Sequence, residues 1–175
     1  QAEIEAFMGE KSIGGQLQKL ETVYEVIKKQ RPIFAKEGTQ TVRYEVTDNF
    51  LRFWFRYIER NRSLIEIGNF EGLSKIMLDD YPTYSGKTLE LYFKHKMQES
   101  FAYRAIGSWW EPKGNQNEID IVGVYLDDKN AVAVEVKRQK KNFKPQLFEE
   151  KVKILKTKEL NKHTVESFCW DLADM

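Results

Sequence analysis

The chain has 175 residues, 41% of them hydrophobic and 13% aromatic, with a formal net charge of +1, a content that supports packed cores and excludes a disordered chain. A single cysteine, Cys169, excludes an internal disulfide and fits a reducing compartment. No apolar run approaches the roughly 20 residues of a membrane span, and Gln-Ala-Glu-Ile-Glu at the start is no secretory signal, so a cytoplasmic protein is expected, in one large or two small domains.

A first residue of Gln rather than Met fits a piece of a longer protein. Ser12 offers an N-cap for a helix in which Ile13, Leu17 and Leu20 recur at helical spacing, continued by Val23 or Tyr24. Arg31-Pro-Ile-Phe, a Lys-Glu-Gly-Thr-Gln turn and Thr41 to Val46 read as a short hairpin. A helix followed by a two-stranded wing resembles the end of a winged helix-turn-helix domain. Gln16, Gln18 and Lys19 would then reach base edges, although such modules also serve as protein contacts.

Asp48 is the expected N-cap of an aromatic-dense helix. Its Phe50, Trp54, Tyr57 and Ile58 form a helical stripe widened by Phe53, read as core. Residues 60 to 84, with Gly68, Gly72 and Pro82, read as a linker holding a short helix from Glu71 to Asp80. A longer helix begins at Ser85 and buries Leu89, Phe93, Met97 and Phe101, with Glu90 at the border of that stripe. Gly86-Lys87-Thr88 lacks the first glycine and the Gly-rich loop of a phosphate cradle, Tyr81 standing where that glycine belongs, so no ATPase motif is present. His95 reads as surface, and His163 has no Cys or His at metal-ligand spacing.

Ala105 to Glu111 is a predicted strand, with Gly107 permitting a bulge or a close approach, and Pro112 to Asn117 is a turn. Asn117 to Lys137 then reads as a β-hairpin about the turn Asp-Asp-Lys-Asn. Alternation puts Asp120 on a face with Val122 and Val124, and Glu135 on a face with Ala133 and Lys137. Carboxylates on adjacent strands are the oxygen ligands that Mg²⁺ or Mn²⁺ prefers, and a nearby lysine stabilises charge developing on a phosphoryl group. An Asp followed by Glu-x-Lys on the next strand resembles the PD-(D/E)xK nuclease motif. That resemblance implies Asp120 and Glu135 as metal ligands, Lys137 as the catalytic lysine and Glu90 as a further acidic residue. Gln139, Lys140 and Lys141, just beyond, are the expected substrate contacts. On an exposed strand, the same Glu-Val-Lys is only a solvated pair worth under about 1 kcal/mol.

Phe143 to Lys158 is a predicted helix with Leu147, Phe148, Val152 and Leu155 inward, and Thr164 to Leu172 a final strand. Val136 to His163 holds ten Lys or Arg against three Glu, a local +7 that leaves −6 for the remainder. A basic stripe of this kind suits a polyanion, or is the solvated face of a helix.

Val42-Arg-Tyr-Glu-Val, Thr47 to Ile58, Ile106-Gly-Ser-Trp-Trp, Asn117 to Gly123 and Val134-Glu-Val-Lys together resemble the DUF234 family, the C-terminal region of archaeal and bacterial P-loop ATPases of the AAA/STAND type. The resemblance covers about Lys11 to Asp171. It implies an α/β chain in three parts: a partial winged helix over 1–46, a helical connection over 47–84, and over 85–175 a PD-(D/E)xK restriction-endonuclease-like domain with a mixed sheet flanked by helices. The partners it implies are nucleic acid, DNA before RNA, and an upstream ATPase domain; a homo-oligomer is allowed and no membrane is expected. Two alternatives stand beside a metal-dependent nuclease. One is a catalytically silent module that binds nucleic acid or protein and regulates the ATPase, and the other is a purely protein-binding assembly element.

Overall fold

The computed structural model describes residues 2–9, 12–39, 41–111 and 117–175. The turn expected at 112–117 falls mostly outside them. The chain divides into two compact units, residues 1–31 with 38–80 and residues 32–37 with 81–175. Among the described residues no helix is long and apolar enough to cross a membrane.

In the first unit, α1 (Ala2–Met8) precedes α2 (Gly14–Thr22), and β1 (Ile27–Gln30) pairs antiparallel with β2 (Arg43–Val46). Ile13, not Ser12, occupies the N-cap of α2, without a side-chain cap bond. Ile13 and Leu17 are buried as expected, whereas Leu20, Val23 and Tyr24 are exposed. The first wing strand precedes Arg31-Pro32 instead of containing it, because proline has no N–H for a ladder.

Asp48 caps α3 (Asn49–Phe53), its carboxylate accepting from the Leu51 N–H at 2.7 Å. Trp54–Ile58 then forms a π-helical turn, followed by a 3₁₀ turn and α4 (Arg62–Glu66). The wider turn breaks the 3.6-residue stripe, so of the expected aromatic core Tyr57 alone is fully buried while Phe50 and Trp54 are exposed. Tyr57 and Arg56 both donate to Asp80, the Tyr57 hydroxyl at 2.7 Å.

The region expected to be a linker and a separate helix is one helix, α5 (Phe70–Glu99), continuous through Pro82. Proline forfeits one hydrogen bond, and the helix continues on both sides of it. Gly86, Lys87 and Thr88 lie inside α5, where their N–H groups belong to the helix ladder and cannot cradle phosphate.

In the second unit β3 (Tyr103–Trp110), β4 (Glu118–Tyr125), β5 (Asn130–Val136) and β6 (Thr164–Trp170) form a sheet in that order. The first three are antiparallel, and β6 is parallel to β5 after the crossover helix α6 (Pro145–Lys158). The β4/β5 turn is fixed by Asp127, whose carboxylate accepts from the N–H groups of Lys129 and Asn130, with Asp128 at φ 54°.

One sheet face packs Ile119, Val122, Val124, Ala131 and Ala133 against Phe148, Val152 and Leu155 of α6. The other packs Ile121, Val132, Val134 and Val136 against Leu89, Phe93 and Met97 of α5. Phe101, expected to close that stripe, lies beyond the helix and is exposed. The segment 32–37 lies at the β3 edge: the Ile33 N–H donates to the Ser108 carbonyl at 2.9 Å, and Ile33 Cβ stands 3.0 Å from where a side chain on Gly107 would begin. Gly107 thus serves both a close approach and, with the register shift that follows it, a bulge.

Candidate functional site

That bulge positions Asp120. Gly107 pairs with Val122 but Trp109 with Ile119, so Ser108 on β3 faces two residues of β4, Asp120 and Ile121. The alternation breaks there: Ile119, not Asp120, shares the α6-facing core with Val122 and Val124, while Ile121 joins the α5 side. The face expected for Asp120 is therefore corrected by one extra residue. Ser108 is buried, receives the Lys94 ammonium on its Oγ at 2.6 Å, and donates to the Asp120 carbonyl at 2.9 Å. Together Ser108 and Lys94 pin the bulge.

The β4/β5 pairing runs from Val124 and Ala131 to Ile121 and Val134. At the next position facing β4, the Val136 N–H donates to Asp120 Oδ2 at 2.8 Å in place of a carbonyl. A side chain has taken over a ladder bond, and the carboxylate is held at the point where the strands part.

Glu135 points to the α6 side, in step with Ala131 and Ala133, and is only 8% exposed. Its Oε1 accepts from the Lys137 ammonium at 2.6 Å. Its Oε2 is buried without a hydrogen-bond partner and lies 3.7 Å from the Lys151 ammonium. Burial by itself would lower the Lys137 pKa, but the hydrogen bond and charge of Glu135, with Asp120, hold it above its ordinary value. Glu90, on α5, is half-buried and paired with Lys87 at 2.8 Å.

Asp120 carries the strongest electrostatic signal. Burial pushes its carboxyl up to about 7, and the neighbouring charges of Glu90 and then Glu135 add to this, against the opposing pull of the Val136 N–H and of Lys137. Two other carboxylates thus act on Asp120, a condition a cation would relieve. The structure thus brings Asp120, Glu135 and Lys137 together, with Glu90 acting on Asp120 from α5.

The expected substrate contacts lie farther along. Gln139 and Lys141 are exposed. Lys140 is committed to the chain's end: its N–H donates to Asp171 at 2.8 Å and its ammonium stands 3.7 Å from Asp174. Lys151 was not anticipated. Its signal was its place on α6, three residues after Phe148 and four before Leu155, on the inward face.

The donor set fits a divalent cation in two respects: an orphaned Glu135 oxygen and an Asp120 carboxyl raised first by burial and then by its acidic neighbours. Asp120 and Glu135 would hold the ion. Among the described residues, however, no three His, Cys, Asp or Glu side chains stand close enough together to bind a metal.

The chain is similar to an uncharacterized protein, MJECL04, of Methanocaldococcus jannaschii, with 38% identity over 120 residues, 65% of this chain and 26% of that protein. The chain therefore spans about a quarter of the curated relative it matches. No solved structure matches. Residues 54–164, which include Glu90, Asp120, Glu135 and Lys137, match DUF234, described as archaea bacterial proteins of unknown function, and the chain belongs to that family.

Proposed function

We propose that this chain is a metal-dependent, PD-(D/E)xK nuclease-like module preceded by a partial winged helix, acting on nucleic-acid phosphodiesters as the C-terminal part of a P-loop ATPase. One observation carries the reading: the Asp120 carboxylate is fixed on Val136 where β4 and β5 part, and the buried Glu135–Lys137 pair stands on the adjoining strand. A mixed sheet between α5 and α6, and an antiparallel β1/β2 pair after α2, support this reading.

In this reading Asp120 and Glu135 hold Mg²⁺ or Mn²⁺, with Glu90 adding negative charge from α5. An ion held there would supply Lewis acidity toward a water and the phosphoryl oxygens. Lys137, kept protonated by Glu135, stabilises negative charge developing on the scissile phosphate. Lys141 and the outward lysines of α6 attract the polyanion.

A second reading has a specific observation behind it. Each Glu135 oxygen already faces an ammonium, Lys137 on one side and Lys151 on the other, which suits a site that binds phosphate without a metal. The chain is then a catalytically silent module that binds nucleic acid, or a protein, and regulates the ATPase.

Calorimetric titration of Mg²⁺ and Mn²⁺ into wild type and Asp120→Ala, followed by single- and double-stranded DNA and RNA, separates the two. Metal binding and cleavage that both vanish in the variant support the nuclease. Salt-sensitive nucleic-acid binding that is indifferent to metal and to Asp120→Ala supports the silent module.

A further inference from the structure

We propose that β6 is a dimerisation edge, along which two copies of this chain pair antiparallel about a two-fold axis at Phe168. Among the described residues, the sheet order leaves β6 with β5 on one side and no strand on the other, whereas segment 32–37 already bonds to the opposite edge, β3.

The direction of the backbone groups on β6 follows from two hydrogen bonds. The Thr164 N–H donates to the Lys129 carbonyl, and the Lys137 N–H donates to the Trp170 carbonyl, each at 2.9 Å. In a parallel pair, alternate residues direct both backbone groups at the partner, so Thr164, Glu166, Phe168 and Trp170 face β5. Val165, Ser167 and Cys169 therefore present their N–H and C=O groups outward. The β5/β6 register is unbroken over seven residue pairs, so no bulge twists this edge away. Few of the usual guards are present: β6 holds no lysine, arginine or proline, and its one charge is Glu166.

The occupant follows from the sequence of the edge itself. With the two-fold axis at Phe168, Ser167 and the partner's Cys169 exchange both backbone bonds, as do Cys169 and the partner's Ser167. Phe168, 42% exposed and stacked on Trp170, then meets Phe168 of the partner copy at a non-hydrogen-bonded position, where cross-strand side chains come closest. Glu166 falls opposite the partner's Trp170 and not opposite its own copy, so no like charges meet. A strand whose only exposed large apolar residue lies on the axis, and whose only charge lies off it, is complementary to itself. The pairing needs none of Asp120, Glu135 or Lys137.

Sedimentation equilibrium of the 175-residue chain, from dilute to concentrated solution, tests this. Wild type is expected at twice the chain mass. Ser167→Pro removes only an outward N–H and is expected to be a monomer with unchanged circular dichroism. Phe168→Asp sets two carboxylates face to face on the axis and gives a monomer as well. Glu166→Pro removes an N–H that faces β5 and is expected to disturb the fold, which shows that the parity was assigned correctly. A wild type that is monomeric at every concentration overturns the proposal and leaves the edge to a strand from a different protein. A dimer that survives Ser167→Pro or Phe168→Asp overturns it equally.

Discussion

Replacing Asp120 by Asn removes a charge from the sheet while leaving an oxygen to accept the Val136 N–H. The Asp120 carboxyl is pushed from 3.8 up to about 7, first by burial and then by Glu90 and Glu135. Three pKa units at ~1.4 kcal/mol each set a ceiling of about 4 kcal/mol on what the ionised carboxylate costs the fold. The raised pKa means that the folded protein holds a proton which the unfolded chain has lost. Stability is therefore greatest below the unfolded value, falls as pH rises through the window from about 4 to about 7, and is level above it. In chelator, urea denaturation should show wild type losing stability across that window while Asp120→Asn stays flat, so that the variant is the more stable protein at pH ~8. Glu111, Asp127 and Asp171, held low by their hydrogen bonds, lose their contributions only at lower pH and leave the window clear. Adding Mg²⁺ or Mn²⁺ should return stability to wild type at the high end and not to the variant, because an ion that binds only the folded state stabilises it. A stability difference that does not change between pH ~5 and ~8 would refute the assignment of an uncompensated charge to Asp120.

Lys151→Met takes one ammonium from Glu135. The expected outcome is tighter Mn²⁺ binding by calorimetry, since a competing cation has gone, together with weaker DNA binding whose salt slope falls by about one. Gly123→Ala would put a methyl group 2.6 Å from Met97 Cε and 2.8 Å from the Tyr103 ring. The Met97 tip can move but the ring is held against Tyr125, so a loss of about 1–3 kcal/mol is expected in denaturation, and one below about 0.5 kcal/mol would contradict the close approach. Asp80 is held at about 2 by hydrogen bonds from Arg56 first and Tyr57 second. Its stabilising effect is present above the unfolded carboxyl pKa and is lost as pH falls toward 2; carboxyl NMR titration of Tyr57→Phe should find Asp80 moved back toward the ordinary range.

The elements of the second unit were legible because their signals are local. Two β-branched runs about an Asp-Asp-Lys-Asn turn specify β4 and β5, and the spacing of Phe148, Val152 and Leu155 specifies α6. The Asp-to-Glu-x-Lys spacing likewise singled out three charged residues, Asp120, Glu135 and Lys137, that lie near one another in the fold. What was not legible depends on partners distant in sequence. Ile27-Lys-Lys-Gln has little strand propensity and is a strand only by virtue of Arg43–Val46 across from it. Pro82 argued for a break that did not occur, and the π turn at Trp54–Ile58 moved aromatic residues off a stripe that ideal periodicity had drawn. Ile33 and Phe34 looked like part of the wing yet belong to the second unit, because the small side of Gly107 admits them to the edge of β3. Lys151 could not be assigned to Glu135 until the distance between α6 and the sheet was known.

The bulge is the instructive case, because it couples fold to chemistry. Strict alternation would have placed Asp120 beside Val122 among the apolar residues packed on α6, where burial of a carboxylate is costly. One extra residue on β4 moves Ile119 into that place and frees Asp120 to take the Val136 N–H, and that same bond ends the regular pairing of β4 with β5. The parting of the strands and the placing of the carboxylate are thus one event. Asp120→Ala removes the charge and the strand contact together, and Asp120→Asn beside it divides the effect between the two. Asp120→Asn keeps the contact and removes only the charge. If cleavage and metal binding are lost in Asp120→Asn while its stability at high pH rises, the carboxylate serves chemistry at the expense of the fold. If metal binding persists in Asp120→Asn, the residue serves to shape the strand end and its carboxylate is not a ligand of the ion.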